Sequence, residues 1–436
     1  MPRTLPEWLD YIERQHPKNI DMGLDRVREV ATRMRLKKPA KKIITVGGTN
    51  GKGSTVAFIE AIARAAGWKV GAYTSPHLLA YNERVRIDGV DAGDADLAAA
   101  FEVVEGARGE TLLTYFEYGT LAALRLFEQS KLDLAILEVG LGGRLDATNI
   151  VDPDVAVITT VDVDHQDWLG NDRETIGFEK AGIARAWKPL VLGEDDPPAS
   201  VLRHAYAIGA SAIRAGCDFF FDSTSAHGNR FSPTDSVLPA AGQWTWRELG
   251  KSFDLPLPRL AAPAQLRNAA TAIAALRALG KKLPPDAIAQ GVANAHVPGR
   301  LQRFERHGVE VVVDVGHNPQ AARELAAWLT TAPPKGRTLA VFAALGDKDI
   351  VGVVDALAER IDAWHLAGLA ESGPRGLAVE AFAARLAGTA ADSGARHADV
   401  VAALEAAVAQ AATGDRVLVF GSFHTAAAAL EWLGTK

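Results

Sequence analysis

IITVGGTNGKGSTVAFIEAIARAA, residues 43–66, passes from a β-branched run through a glycine-rich turn into a helical pattern. IITV at 43–46 is short, apolar and β-branched, as a buried strand is. GGTNGKGS at 47–54 follows that strand and opens the helix, the context a phosphate loop requires. Its glycines let backbone N–H groups point at phosphate oxygens, and the helix N-terminus adds positive potential. Lys52 is expected to reach the β- and γ-phosphates, with Ser54 or Thr55 facing a metal. The strict GxxxxGK[ST] pattern is not met, because Gly53 separates Lys52 from Ser54. A plain glycine-rich strand-to-helix turn is the alternative.

The same alternation extends outward. LAILEV at 134–139, VAVITTV at 155–161, VEVVVDV at 309–315 and RVLVF at 416–420 are strand-like. Helical patterns at 118–129, 265–279 and 319–330 lie between such runs. Alternating strands and helices predict α/β architecture with mainly parallel sheets, whose ligands sit beyond the carboxyl ends of the strands. The chain has 436 residues, too many for one ordinary core, so two domains are expected. Pro298 and Gly299 in NAHVPGRLQ, 294–302, end a helical pattern before a fresh alternation begins. The expected division is therefore a phosphate-loop-type domain over 1–296 and a smaller Rossmann-like α/β domain over 297–436. The Ser-, Gly- and aromatic-rich stretch 218–260 breaks the rhythm and predicts a small β insertion or loop excursion.

Composition narrows the class. Hydrophobic residues are 48% and charged residues 23%, a globular balance. The net charge of −6 is spread without like-charge blocks, so nucleic acid is not an expected partner and an anionic substrate needs a local site. Cys217 is the one cysteine, which excludes an intrachain disulfide and fits a reducing, cytoplasmic compartment. The first twenty residues carry charges throughout, unlike a signal peptide, and no stretch approaches the roughly 18 apolar residues of a membrane helix.

Other strand ends carry chemistry. Glu138, in LEVGLGGRLDATN (137–149), is a carboxylate at the end of an apolar strand, where it needs a cation or a hydrogen-bond partner. Magnesium suits it, since that ion takes one or two carboxylates plus waters and phosphates; pairing with an arginine is the alternative. VAVITTV runs into DVDHQDWLG, placing Asp164 and His165 on a loop, though a lone histidine is as often structural. FEKAGI, 178–183, sets Glu179 and Lys180 near a helix, which by itself reads as a solvated charged turn. In the later half, Asp314 and His317 fall at a strand end, Asn318-Pro319 can start a helix, Arg300 lies just past the break, and GSFHT (421–425) closes a late strand.

Taken in order, these segments resemble the dihydrofolate synthase/folylpolyglutamate synthase family of the Mur ligase superfamily. The matching motifs are IDMGLDR (20–26), GTNGKGS (48–54), YTSPHL (73–78), NERVRIDG (82–89), TYFEYGT (114–120), LEVGLGGRLDATN (137–149), DHQDWLG (164–170), EKAGI (179–183), LRNAATA (266–272), PGRLQ (298–302), DVGHNP (314–319), GDKDI (346–350), GPRG (373–376) and GSFHT (421–425). The resemblance covers nearly the whole chain, and its phosphate loop carries the same glycine between lysine and hydroxyl. It implies that Thr49, Asn50, Gly51, Lys52, Gly53 and Ser54 hold ATP, joined by Asn268, Arg300 and Asp314 from the domain interface. It implies magnesium, two ions in all, on Ser75, Glu138, His165 and a carbamylated Lys180. It implies pterin-substrate contacts from Asn19, Ile20, Asp21 and Met22, from Thr114, Tyr115, Phe116 and Glu117, and from Leu145, Asp146 and Ala147. One departure is Gly316, where alanine is usual, a difference that bears on packing more than on chemistry.

The implied reaction is ATP-dependent addition of L-glutamate to dihydropteroate and to tetrahydrofolates through an acyl phosphate. Lys52 and magnesium would neutralise charge on the transferring phosphoryl group. Glutamate's neutral amine would then attack, with His317 as a plausible proton acceptor, and closure of two domains over one cleft would exclude water. An unmodified Lys180 would instead pair with Glu179 or a substrate carboxylate. The rivals are a monofunctional folylpolyglutamate synthase, another Mur-type amide ligase, and a nucleotide-hydrolysing switch with no amino-acid substrate. The expected enzyme is a monomer.

Overall fold

The structure, a computed structural model, describes residues 3–18, 20–223, 242–260 and 262–435. It forms two compact units, Met1–Arg259 with Leu266–His296, and Leu260–Gln265 with Val297–Lys436.

The first unit is built on an eight-stranded sheet. Its strands are β1 (Ala40–Gly47), β2 (Val70–Tyr73), β3 (Val85–Ile87), β4 (Val90–Asp91), β5 (Leu132–Glu138), β6 (Val155–Ile158), β7 (Pro189–Leu192) and β8 (Ser211–Arg214). They run in the order β4-β3-β2-β5-β1-β6-β7-β8. From β2 to β8 all neighbours are parallel; β3 and β4 continue the sheet antiparallel at one edge. Parallel strands with helices on both faces are buried on both sides, so their sequences read as continuous apolar runs. Ile43, Ile44 and Val46 of β1 and Leu134, Ala135, Ile136 and Leu137 of β5 are fully buried accordingly. β1 and β5 pair from Ala40–Leu132 to Val46–Glu138, which brings Glu138 level with the start of the glycine-rich turn.

The stretch 218–260 holds an antiparallel three-stranded sheet of β9 (Phe219–Ser223), β10 (Gln243–Glu248) and β11 (Lys251–Pro256). Trp246 is buried there, stacked between Phe219 and Phe253, with its ring N–H donated to the Ala270 carbonyl at 3.1 Å. Residues 224–241 of the expected excursion lie outside the described residues.

The second unit has a six-stranded sheet of β12 (Gln302–Arg306), β13 (Val309–Val313), β14 (Thr338–Phe342), β15 (Ala363–Ala367), β16 (Ala395–His397) and β17 (Arg416–Phe420), in the order β12-β13-β17-β14-β15-β16. Only the edge strand β12 is antiparallel to its neighbour. Trp328, Phe342, Trp364, Phe382 and Phe420 form much of its core. Among the described residues no helix is long and apolar enough to cross a membrane.

Two strands end earlier than their apolar runs. VAVITTV leaves the sheet at Ile158, because Thr159 and Thr160 turn to the glycine-rich loop. VEVVVDV leaves it at Val313, and Asp314 turns its carboxylate to the backbone N–H groups of Leu301 and Gly316.

Candidate active site

β1 delivers the chain to Gly48 (φ +143°), and Gly51 (φ +85°) caps the helix Lys52–Ala65. Both glycines meet close neighbours. A Cβ on Gly48 would lie 1.9 Å from Thr159 Oγ1, and one on Gly51 would lie 2.5 Å from Asn268 Oδ1. The loop is laced to the segment after β6. Thr49 N–H donates to the Thr160 carbonyl at 2.7 Å, Thr159 Oγ1 to the Asn50 carbonyl at 2.6 Å, and Thr49 Oγ1 to the Asp162 carbonyl at 3.0 Å. Lys52 folds back over the loop, its Nζ donating to the carbonyls of Gly48 and Thr49, both at 3.1 Å. That is where a lysine serving terminal phosphates belongs.

Glu138 ends β5 against this loop. Both its carboxylate oxygens are 3.8 Å from the place of a Gly53 Cβ, and Oε2 accepts the Ser75 N–H at 3.1 Å. Ser54 and Thr55 are buried just inside the helix, and Thr55 Oγ1 has no hydrogen-bond partner among the described residues. His165 sits at φ +53°, its N–H donating to Asp164 Oδ1 at 2.8 Å, and starts the turn Gln166–Leu169. Among the described residues no three His, Cys, Asp or Glu side chains gather as a metal-holding group. Magnesium does not need one, since it takes one or two carboxylates and completes its shell with phosphate and water. One carboxylate, buried hydroxyls and an orphaned hydroxyl oxygen beside a phosphate loop are hard oxygen donors that fit it.

Lys180 lies in the last turn of the helix Arg173–Ala181 and is fully buried. Its Nζ donates to the Gly48 carbonyl at 3.1 Å. Burial and the neighbouring Lys52 charge push its amine down to about 7, against the pull of Asp164 and Asp146. Glu179 is not its partner: Arg144 holds that carboxylate through Nη2 at 2.8 Å and Nε at 3.1 Å. The Gly143 backbone packs on Lys180, where a Cβ would lie 3.0 Å from its Cα.

The three segments assigned to the pterin substrate meet. Arg26 bridges Asp21 at 2.7 Å and Glu117 at 3.0 Å. Glu117 and Thr114 close a reciprocal helix cap, at 2.7 Å and 3.3 Å, ahead of the helix Tyr115–Ser130. The Phe116 ring lies against Gly140, and the Met22 methyl and Leu169 flank Gly142. Asp146 is buried and accepts four hydrogen bonds, from Gly140, Leu141 and Thr148 backbone N–H groups and the Thr148 hydroxyl, so its carboxylate shapes its own loop. Ala147 packs in the core, while Ile20, Met22, Tyr115 and Leu145 are partly exposed. Asn19 lies outside the described residues.

In the second unit Asp314 is buried and accepts from Leu301 N–H at 2.9 Å and Gly316 N–H at 2.7 Å. Burial raises its carboxyl above the usual range, against the Arg300 charge. The Arg300 guanidinium lies 5.9 Å from the Phe423 ring centroid, and His317 is 6.3 Å from the same ring. His317 Nδ1 is 3.0 Å from the Val315 carbonyl. At Gly316 a Cβ would lie 3.0 Å from Asp314 Oδ1, so glycine leaves that carboxylate room. Three groups here had no role from sequence. Lys348, which is buried, and Arg375, which is exposed, both face Asp347, at 4.0 Å and 3.1 Å, and His424 lies near Arg375. Their motifs, GDKDI, GPRG and GSFHT, were legible, but three separate loops give no sign of meeting.

The Mur ligase middle domain matches residues 46–276, and the Mur ligase, glutamate ligase domain matches residues 299–423. The chain is 46% identical over 433 residues to dihydrofolate synthase/folylpolyglutamate synthase of Escherichia coli (strain K12), covering 99% of this chain and 96% of that one. E. coli FolC in complex with DHPP and ADP is similar at a TM-score of 0.90 and 45% identity, covering 99% of this chain and 98% of that one. A bifunctional folylpolyglutamate synthase/dihydrofolate synthase with Mn, AMPPNP and L-glutamate bound is similar at a TM-score of 0.88 and 45% identity, over 99% and 98% of the two chains.

Proposed function

The chain belongs to the Mur ligase family as a dihydrofolate synthase/folylpolyglutamate synthase, and from that premise we propose how its residues perform ATP-dependent ligation of L-glutamate to dihydropteroate and folates. The observation that carries the proposal is the Glu138 carboxylate lying against Gly53 of the phosphate loop. This supports a reading in which one carboxylate serves a metal beside the phosphate cradle.

The ATP contacts assigned are Thr49–Ser54, Asn268, Arg300 and Asp314. Ser75, Glu138, His165 and a carbamylated Lys180 would hold magnesium, which would supply charge neutralisation at the phosphates. Lys52 gives up its carbonyl contacts to the γ-phosphate and stabilises charge as the phosphoryl group moves. The pterin arm is assigned to the segments around Ile20–Met22, Thr114–Glu117 and Leu145–Ala147. One oxygen of the substrate carboxylate attacks the γ-phosphorus, the bond to ADP breaks, and an acyl phosphate forms. Glutamate's neutral amine then attacks the acyl carbon, the C–O bond to phosphate breaks, and an amide remains. His317 is assigned the amine's proton. With Nδ1 donating to the Val315 carbonyl, its basic lone pair lies on Nε2.

Carbamylation of Lys180 is part of the proposal. An ordinary lysine is almost wholly ammonium at neutral pH, whereas a buried amine lowered to about 7 is substantially the free base that adds carbon dioxide. A monomer acting in the cytoplasm completes the reading, and a stable dimer in sedimentation would overturn the first part of that clause. The mechanism is tested by labelling the substrate carboxylate with oxygen-18. An acyl phosphate sends one labelled oxygen into the released phosphate, and unlabelled phosphate would overturn it.

A further inference from the structure

Two arginines are buried among the described residues, Arg84 and Arg416. Arg416 is paired, its guanidinium 2.7 Å from Glu310. Arg84, 8% exposed, has no carboxylate partner among the described residues. Its Nε donates to His77 Nδ1 at 2.8 Å. Its guanidinium carbon lies 5.3 Å from the Tyr81 ring centroid and 5.5 Å from that of Tyr115. Arg86, two residues on, faces Glu60 at 2.7 Å, so an acid for this hairpin is available and is turned to the other arginine.

A buried cation is costly unless an anion meets it, and aromatic faces return only part of what water gave. The surroundings say which anion is missing. His77 follows by two residues Ser75, whose N–H holds Glu138 beside the phosphate loop. Tyr115 opens the helix whose next residue, Phe116, packs on Gly140 of the loop assigned to the pterin arm. Arg84 thus lies between the segments assigned to the pterin and the turn that faces the phosphate loop. The carboxylate-bearing arm of the acyl substrate must run between these two places to reach the γ-phosphate. The His77 contact fixes the plane of the guanidinium through Nε, and Nη1 and Nη2 have no partner among the described residues. Two parallel N–H donors are the geometry that takes both oxygens of a carboxylate.

We propose that Arg84 is the counter-charge for a carboxylate of the pterin-bearing acyl substrate, a reading that rests on the ligase function above. Dihydropteroate has one carboxylate, which reacts. A tetrahydrofolate has two on its terminal glutamate, one reacting and one not. Either source fits the fork, and the two substrates separate them.

The test is steady-state kinetics of the full chain and its Arg84→Gln and Arg84→Lys variants, with dihydropteroate and with tetrahydrofolate, alongside thermal midpoints and the ATP KM. Charge-assisted hydrogen bonds predict that Arg84→Gln raises the acyl-substrate KM by about 10- to 100-fold, with ATP KM and thermal midpoint held. A rise for both substrates assigns the reacting carboxylate, and a rise for tetrahydrofolate alone assigns the unreacting one. Arg84→Lys keeps the charge without the fork, so its KM should lie between wild type and Gln. An acyl-substrate KM within about 3-fold of wild type for both substrates, in whichever variant folds, overturns the inference. Wild-type protein that ligates neither substrate overturns the function instead.

Discussion

Glu194 offers a prediction whose sign and size follow from its surroundings. Its Oε1 accepts the Val161 N–H at 3.0 Å, while Arg173 Nε donates to the Val161 carbonyl at 2.8 Å and its Nη2 reaches Glu194 Oε2 at 3.3 Å. One ion pair therefore holds both polar groups of Val161, in the segment that laces the phosphate loop and leads to His165. Burial pushes the Glu194 carboxyl up to about 7 from an ordinary 4.5, although Arg173 pulls it down. The folded state therefore binds more protons than the unfolded state between those values. Stability from this group is full below about 4.5 and is lost as pH rises through about 7. At about 1.36 kcal/mol per pH unit the loss is up to about 3 kcal/mol. Glu194→Gln keeps an acceptor for Val161 and does not titrate. Its stability relative to wild type should therefore climb by up to about 3 kcal/mol between about pH 5 and pH 8. Urea unfolding followed by tryptophan fluorescence measures this. A difference between the two proteins that stays flat across that range would refute the reasoning.

Lys52→Ala and Glu138→Ala should each lower turnover by about 100-fold or more with thermal midpoints retained; near-normal turnover in either would move the nucleotide site elsewhere. Gly51→Ala should cost about 1–2 kcal/mol in the left-handed region and, by pressing on Asn268, weaken ATP binding in a nucleotide titration; unchanged affinity and midpoint would contradict the packing found there. Lys180→Ala should lose activity that millimolar acetate partly restores, because a carboxylate can stand in for a carbamate but not for an ammonium. Rescue by a small amine in place of acetate would defeat the carbamate.

The parallel sheets were legible because strands buried on both faces leave apolar runs that no other element needs. Thr159 and Thr160 show where that signal misleads. Their β-branched side chains extend the apparent strand, yet their hydroxyls and carbonyls serve the phosphate loop. Lys52 and Glu138 stand out as residue types at strand ends, where a phosphate loop and a metal carboxylate would need such groups. Asn268 is different: only the resemblance pointed to it, and its contact with Gly51 spans residues far apart in the chain. Arg84 stands within NERVRIDG, which by itself gives it no role. What marks it is a missing acidic neighbour in space, which a one-dimensional reading cannot contain. The Arg144–Glu179 pair likewise joins residues far apart in the chain, so adjacency left Glu179 as one alternative partner for an unmodified Lys180.

The most direct test supplies the purified chain with ATP, magnesium and L-glutamate, adds either dihydropteroate or a tetrahydrofolate, and identifies products by mass. A glutamate adduct is expected from each pterin, with ADP released only when glutamate and a pterin carboxylate are both present. ADP release without either acceptor, or an adduct from tetrahydrofolate alone, would contradict it.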